Sequence, residues 1–73
     1  MAYLILAHTD GESGIRLVCK CNRKKQAQAA FNRLRATIRG LPNRSIKEID
    51  ATSFESTYNG IINIKITKYW IKK

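Results

Sequence analysis

Residues 23–39 read RKKQAQAAFNRLRATIR, and this stretch decides how the rest of the chain folds. Its apolar side chains recur at intervals of three and four residues, which is the spacing of one face of an α-helix. They are Ala27, Ala30, Phe31, Leu34 and Ile38. The pattern predicts a helix with one buried stripe. Asn22 is its expected N-cap, Gly40 its left-handed C-cap, and Pro42 prevents continuation.

Strand patterns lie on both sides of this helix. Before it, residues 2–8 are continuously apolar and residues 15–21 alternate, with turn-forming residues between them, which predicts a β-hairpin. After it, residues 45–51 predict a short strand, and residues 61–71 predict the most regular strand of the chain. An Asn59–Gly60 turn precedes this last strand.

The pairing of residues 51–61 stays open at the level of sequence. A tight hairpin at Asn59–Gly60 would place Ser53 and Glu55 on the same face as the isoleucines of the last strand. Burial of those isoleucines conflicts with that arrangement. Either a bulge near Ser53 or a looser loop is therefore expected.

The order of elements predicts an α+β fold in a single domain, residues 1–73. One antiparallel sheet of three to four strands, ββαββ in sequence, carries the amphipathic helix on one face, and Trp70 acts as a lid on the core. The predicted core combines the helix stripe with one face of each strand. Its members are Leu4, Leu6, Leu17, Cys19, Ala27, Phe31, Leu34, Ile38, Ile49, Ile62, Ile64 and Ile66.

Charge is distributed unevenly along the chain. Residues 13–47 contain ten Lys or Arg side chains and no acid, and the whole sequence has a formal net charge of +9. A field of that strength attracts phosphates first. The helix also begins with Arg23, Lys24 and Lys25, at the end where its dipole favours acids. A local rule broken without visible compensation often marks function.

One sector of the helix, opposite Leu34, carries only bases and amides, and bases elsewhere extend it. The predicted nucleic-acid-binding residues are Lys24, Lys25, Gln28, Asn32, Arg33, Arg35, Arg39, Arg16, Lys20 and Lys65. RNA is favoured over duplex DNA, because no motif for entering a major groove occurs. The competing interpretation is a solvated basic surface without a specific partner.

The last strand offers a second candidate surface. Its outward residues are expected to be Asn63, Lys65, Thr67 and Tyr69, with Tyr3 and Tyr58 nearby. Aromatic side chains beside bases on an open sheet can stack unpaired nucleotides.

Residues able to carry catalysis are few, so no enzyme, metal or cofactor is expected. His8 is the only histidine. Glu48 and Asp50 share one predicted strand face and are interpreted as a solvated strand end near Arg44 or Lys47. Two further residues, Cys19 and Cys21, lack the spacing of zinc ligands and are interpreted as reduced core cysteines. Reduced thiols and the absence of a signal peptide or membrane span predict a cytoplasmic protein with no membrane partner.

Four segments together resemble the layout of small phage-encoded accessory proteins. They are YLILA (residues 3–7), DGES (10–13), NRKKQAQAAF (22–31) and IKEID (46–50). The resemblance covers residues 2–50 and implies a phage accessory role in the host cytoplasm. Some proteins of that type neutralise host toxins or defence nucleases.

A protein partner is the alternative hypothesis. In it, the chain is an inhibitor or antitoxin-like module that lays its basic face on an acidic enzyme surface. Residues 61–71, taken as an edge strand, would pair with a partner's sheet or form a homodimer with a second copy.

Overall fold

The computed structural model describes residues 2–73 of the chain. Its elements are β1 (Tyr3–Thr9), β2 (Arg16–Cys21), α1 (Lys24–Arg39), β3 (Arg44–Asp50), β4 (Ser53–Asn59) and β5 (Ile64–Lys72). The predicted α+β class, with one antiparallel sheet and one helix, is confirmed. The described sheet has five strands where three to four were predicted.

The strands lie in the spatial order β2-β1-β5-β4-β3, and every neighbouring pair is antiparallel. The last strand therefore lies in the middle of the sheet, between β1 and β4. This position contradicts the prediction that residues 61–71 form an edge open to a partner or a second copy, because β5 is paired on both sides. The edges are β2 and β3.

The segment that sequence left open is mostly strand β4, joined to β3 by a two-residue turn. Asp50 closes this turn. Its Oδ1 atom accepts hydrogen bonds from the backbone N–H of Thr52 at 2.8 Å, from Thr52 Oγ1 at 2.9 Å and from Ser53 Oγ at 3.1 Å. The hydrogen bond from the Thr52 backbone, followed by those from the two hydroxyls, holds the pKa of the Asp50 carboxyl below its usual value. An aspartate thus supplies the turn that Gly or Pro often supplies.

The connection from β4 to β5 is a four-residue loop, residues 60–63, so the looser of the two predicted alternatives is correct. The Gly60 N–H donates to the Asn63 carbonyl at 2.9 Å. A Cβ atom at Gly60 would lie 2.8 Å from that carbonyl oxygen and 3.0 Å from the Tyr58 ring. The loop needs glycine for this close approach, and it leaves Ile61 and Ile62 exposed at its tip.

Alanine substitutions at two glycines should have opposite effects. Gly60→Ala should lower the free energy of unfolding by about 1–3 kcal/mol, because the added methyl overlaps backbone atoms. Gly40→Ala should raise it by about 0.4–1 kcal/mol. Gly40 has a φ of −81°, not the predicted left-handed value, and the nearest atom to its Cβ position is 3.6 Å away. Urea denaturation checks both, and effects of the same sign would contradict these geometries.

The helix packs on the sheet face that contains Ile5. Strand pairing puts Ile71 beside Ile5, and Tyr69 beside Phe54. The Phe54 ring lies 5.1 Å from the Phe31 ring of α1 and 5.0 Å from the Tyr69 ring, centroid to centroid. Because Phe54 and Phe31 are fully buried, this aromatic group forms the centre of the core.

The helix contribution to the core is confirmed, whereas the predicted strand parity is wrong. Ala27, Phe31 and Ile38 are buried, and Leu34 and Cys19 pack against them. We call the sheet face away from α1 the open face. Seven predicted core residues lie outside the core, either on this open face, at a bulge or in a loop. These residues are Leu4, Leu6, Leu17, Ile49, Ile62, Ile64 and Ile66. Alternation identifies residues that share a face, but not which face the helix covers.

A β-bulge explains why β2 departs from its predicted alternation. Ile5 pairs with Cys19 while Leu6 pairs with Leu17, so Val18 has no partner on β1. One extra residue shifts every following side chain to the other face. Leu17 consequently lies on the open face, with 58% of its surface exposed.

Candidate nucleic-acid interface

The first turn of α1, the positive end of the helix dipole, has no negative charge to compensate it. The N-cap residue is Arg23, in an extended conformation and without a side-chain capping hydrogen bond, so the predicted cap at Asn22 is wrong. The first turn contains no acid and begins with Lys24 and Lys25. Bases here are unfavourable by about 0.3–1 kcal/mol each when exposed. Neither a cap nor an acid of the first turn offsets this charge.

Strand topology brings further bases to the same end of the molecule. Lys24 and Lys73 line one cavity of about 210 Å³, together with Tyr3 and Ile71. On the open face, Leu4 pairs with Lys20 on one side and with Lys72 on the other. We call these bases the cationic end: Lys20, Arg23, Lys24, Lys25, Lys72 and Lys73.

None of the six bases of the cationic end forms an ion pair with a residue between positions 2 and 73. The carboxylate of Asp50, the last residue of β3, is held by Thr52 and Ser53. Like charges without local counter-ions repel one another. The cationic end can therefore lower its electrostatic energy by binding an anion.

Arg35 belongs to the predicted site but is a structural residue. Its side chain is only 16% exposed, and its guanidinium carbon lies 5.2 Å and 5.4 Å from the ring centroids of Phe31 and Phe54. Its Nε atom lies 3.4 Å from Glu48 Oε1. Arg35 thus covers the edge of the aromatic core and is unavailable for a phosphate.

The same glutamate also binds the second arginine of the predicted face. Arg39 donates a hydrogen bond to Glu48 Oε1 at 3.0 Å. Glu48 therefore does not act with Asp50 as a carboxylate pair, and its ion-pair partners are not the expected Arg44 or Lys47. An acid of β3 supplies the compensation that is absent from the helix sequence.

The amides of the predicted face are also engaged within the fold. Gln28 Nε2 donates to the Ala51 carbonyl at 2.9 Å and to Asn32 Oδ1 at 3.0 Å. This sector borders the buried stripe, because Arg35 follows Phe31 by four residues, only about 40° around the helix. It faces β3 and the turn after it, which is why the predicted surface is not a free binding face.

The remaining predicted bases lie apart from one another. Arg33 lines a groove between α1 and β2, and Arg16 begins β2. Lys65 pairs with Tyr58 at the far end of the sheet. Of the ten predicted site residues, Lys20, Lys24 and Lys25 belong to the cationic end.

The second candidate surface on the last strand is wrong, because its parity is inverted. Lys65, Thr67 and Tyr69 lie on the helix side of the sheet, where Tyr69 packs on Phe54. Trp70 lies on the open face instead, so it is no lid beneath the helix.

Three residues of the cationic end were absent from the predicted site: Arg23, Lys72 and Lys73. The misplaced charge at the helix start was a signal for Arg23. No local signal marks Lys72 and Lys73. They join the cationic end only because β5 runs antiparallel to β1 and finishes beside Tyr3.

The two cysteines lie close together on the helix side of β2. Their Sγ atoms are 3.7 Å apart, and both thiols are free. Burial, followed by the hydrogen bond and charge of Cys19, raises the pKa of the Cys21 thiol. A raised pKa disfavours the reactive thiolate. Across residues 2–73, no three His, Cys, Asp or Glu side chains gather as metal ligands.

Removal of one carboxylate should reveal the structural role of the two arginines. Glu48→Gln should lower the free energy of unfolding by about 1 kcal/mol, because it leaves the mostly buried Arg35 without a counter-charge. Glu55→Gln is the control: Glu55 meets exposed Lys68 at 3.9 Å, and its loss should change stability by less than about 0.5 kcal/mol. Urea denaturation distinguishes the two, and equal losses would contradict the assignment.

Comparison with known proteins gives no relative. No protein-family model, no curated protein and no solved structure matches the chain. Among the described residues, 2–73, no helix has the length and apolar character needed to cross a membrane. The phage resemblance and the cytoplasmic location stay predictions.

Proposed function

We propose that this protein binds nucleic acid, RNA in preference to duplex DNA, through its cationic end. The observation that carries the proposal is the grouping of six bases, none in an ion pair within residues 2–73. On an ordinary protein surface, bases are interspersed with acids. At this end of the molecule, the bases form no ion pairs with acids of residues 2–73. The binding residues would be Lys20, Arg23, Lys24, Lys25, Lys72 and Lys73.

The distribution of these bases favours a polyanion over a single small anion. Lys20 and Lys72 lie on the open face, whereas Lys24 and Lys73 line the cavity between the helix start and the sheet. Lysines on both faces of this end can contact successive phosphates of one strand. Release of condensed counter-ions would supply most of the affinity.

A half-buried aromatic residue on the same strand as one of these bases favours unpaired nucleotides. Trp70 lies on the open face, two residues before Lys72 on the same strand. Stacking of a base on an aromatic ring is worth about 1–3 kcal/mol. The Gln28 and Arg39 side chains of α1 are engaged by β3 and the adjoining turn, so they are not free to read base edges in a major groove.

A salt titration tests the proposal. The affinity for a fluorescein-labelled uridine decamer should fall with increasing salt, with a slope of about −0.7 in log K against log salt for each phosphate neutralised. A slope steeper than about −2 supports contact with at least three phosphates. Failure to bind the decamer at ~50 mM salt, where such contacts are strongest, would rule the proposal out.

A protein-binding inhibitor is the second candidate function. The observation in its favour is the outer edge of strand β2, which has no strand beside it within residues 2–73 and exposes the apolar side chains of Leu17 and Val18. Edges of that kind are templates for strand addition. This candidate replaces the hypothesis of pairing through residues 61–71.

A further inference from the structure

The two edges of the sheet differ in how they are protected. In β3, four of seven residues are charged: Arg44, Lys47, Glu48 and Asp50. Charged side chains discourage pairing with another chain. β2 has two charged residues of six, Arg16 and Lys20, both basic. It exposes 58% of Leu17 and 43% of Val18, and Ile15 just before the strand is 59% exposed. Its outer backbone groups have no strand beside them within residues 2–73.

An apolar groove runs beside this edge, between β2 and α1. The bulge residue Val18 lines it together with Cys19, Ala30 and Leu34. The groove encloses about 280 Å³, enough for a medium-sized apolar side chain. A strand added to β2 would direct alternate side chains to the helix side of the sheet, where the groove opens.

Both elements beside the groove carry a base. Arg33 of α1 lines the groove, and Arg16 is the first residue of β2. Neither arginine forms an ion pair with a residue between positions 2 and 73. Since α1 and β2 contain no acid, an incoming segment with acidic side chains would find uncompensated charge on both elements.

We propose that β2 takes up an extended acidic segment of another protein as a sixth strand, with one apolar side chain in the groove. Backbone hydrogen bonds to the edge would supply affinity, and the groove with Arg16 and Arg33 would supply specificity. A second copy of this chain is a poor occupant, because both copies carry +9 and the same two arginines. The inference names the partner for the second candidate function and does not depend on nucleic-acid binding.

The test uses a labelled nine-residue peptide in which valine alternates with glutamate and serine. Fluorescence anisotropy should show saturable binding, and hydrogen exchange should show new protection at residues 16–21. Val18→Asp should weaken binding about tenfold, because it removes apolar burial and adds a repelling charge. Ile49→Asp is the matched control: Ile49 is 53% exposed on the opposite edge, and its loss should change affinity less than about twofold.

Two further variants separate this site from the cationic end. Lys24→Glu/Lys25→Glu should weaken binding of the uridine decamer and leave binding of the valine–glutamate peptide unchanged. Arg33→Glu should weaken binding of the peptide. A peptide with lysine in place of glutamate should not bind. The proposal would be overturned if the acidic peptide does not bind at ~1 mM, a concentration that detects even very weak affinity. It would also be overturned by peptide-induced protection at β3, or by protection of β2 that rises with protein concentration in the absence of peptide.

Discussion

Phe54→Ala should lower the free energy of unfolding by about 3–5 kcal/mol. The Phe54 side chain is fully buried, and its ring packs between Phe31 and Tyr69 beneath the guanidinium of Arg35. Alanine would leave a cavity at the centre of the core. A domain of 73 residues has about 4–11 kcal/mol of stability in total, so this loss removes a large fraction of it and would unfold a domain at the lower end of that range.

The matched control is Ile62→Ala, at a residue that sequence alone assigned to the core. Ile62 is 95% exposed in the β4–β5 loop, and its truncation should change stability by less than about 0.5 kcal/mol. Urea denaturation followed by circular dichroism measures both variants. A large loss at Ile62 with a small loss at Phe54 would show that the helix covers the other face of the sheet.

Lys24→Glu/Lys73→Glu should weaken binding of the uridine decamer about fifty-fold at ~50 mM salt. Both lysines line the cavity at the cationic end. A single-strand phosphate contact changes log K by about 0.7 per decade of salt, or about 0.9 between ~50 mM and 1 M. Loss of two contacts gives the stated effect, and the salt dependence should become shallower by about 1.4.

Lys47→Glu/Lys65→Glu makes the same change in net charge at a distance from the cationic end. Lys47 lies on edge strand β3, and Lys65 pairs with Tyr58 at the opposite end of the sheet. This variant should lose less than about fivefold in affinity, since exposed charges beyond a Debye length, about 14 Å at ~50 mM salt, are largely screened. If the two variants weaken binding equally, the protein attracts RNA by net charge alone.

Helix α1, the β1–β2 hairpin and the class of fold could be predicted from sequence, because each depends on local periodicity. The face of the sheet that meets the helix could not. β1 is apolar on both faces, and in β5 the visible isoleucine stripe lies opposite the side that carries Tyr69 and Ile71. In β4, Phe54 is followed on its own face by Ser56 and Tyr58, neither of them aliphatic, so alternation there gave little warning of its burial.

Residues of the candidate site could be predicted only where the neighbouring sequence marks them. Lys24 and Lys25 violate the charge preference of a helix start, and that signal is in the sequence. Arg35 and Arg39 looked free because their counter-ion, Glu48, is nine or more residues away on β3. Lys72 and Lys73 carry no local signal, because only the antiparallel pairing of β1 with β5 brings them beside the helix start.

Mapping of amide chemical shifts during titration with the uridine decamer tests the cationic end most directly. In ¹⁵N–¹H spectra at ~50 mM salt, where phosphate contacts are strong, the largest shifts should fall at residues 20–25 and 70–73. Residues 35 and 39, whose side chains are held by Glu48, should shift little. Shifts centred on residues 33–39, or the same small shifts over the whole surface, would contradict the assignment of nucleic-acid binding to this end of the molecule.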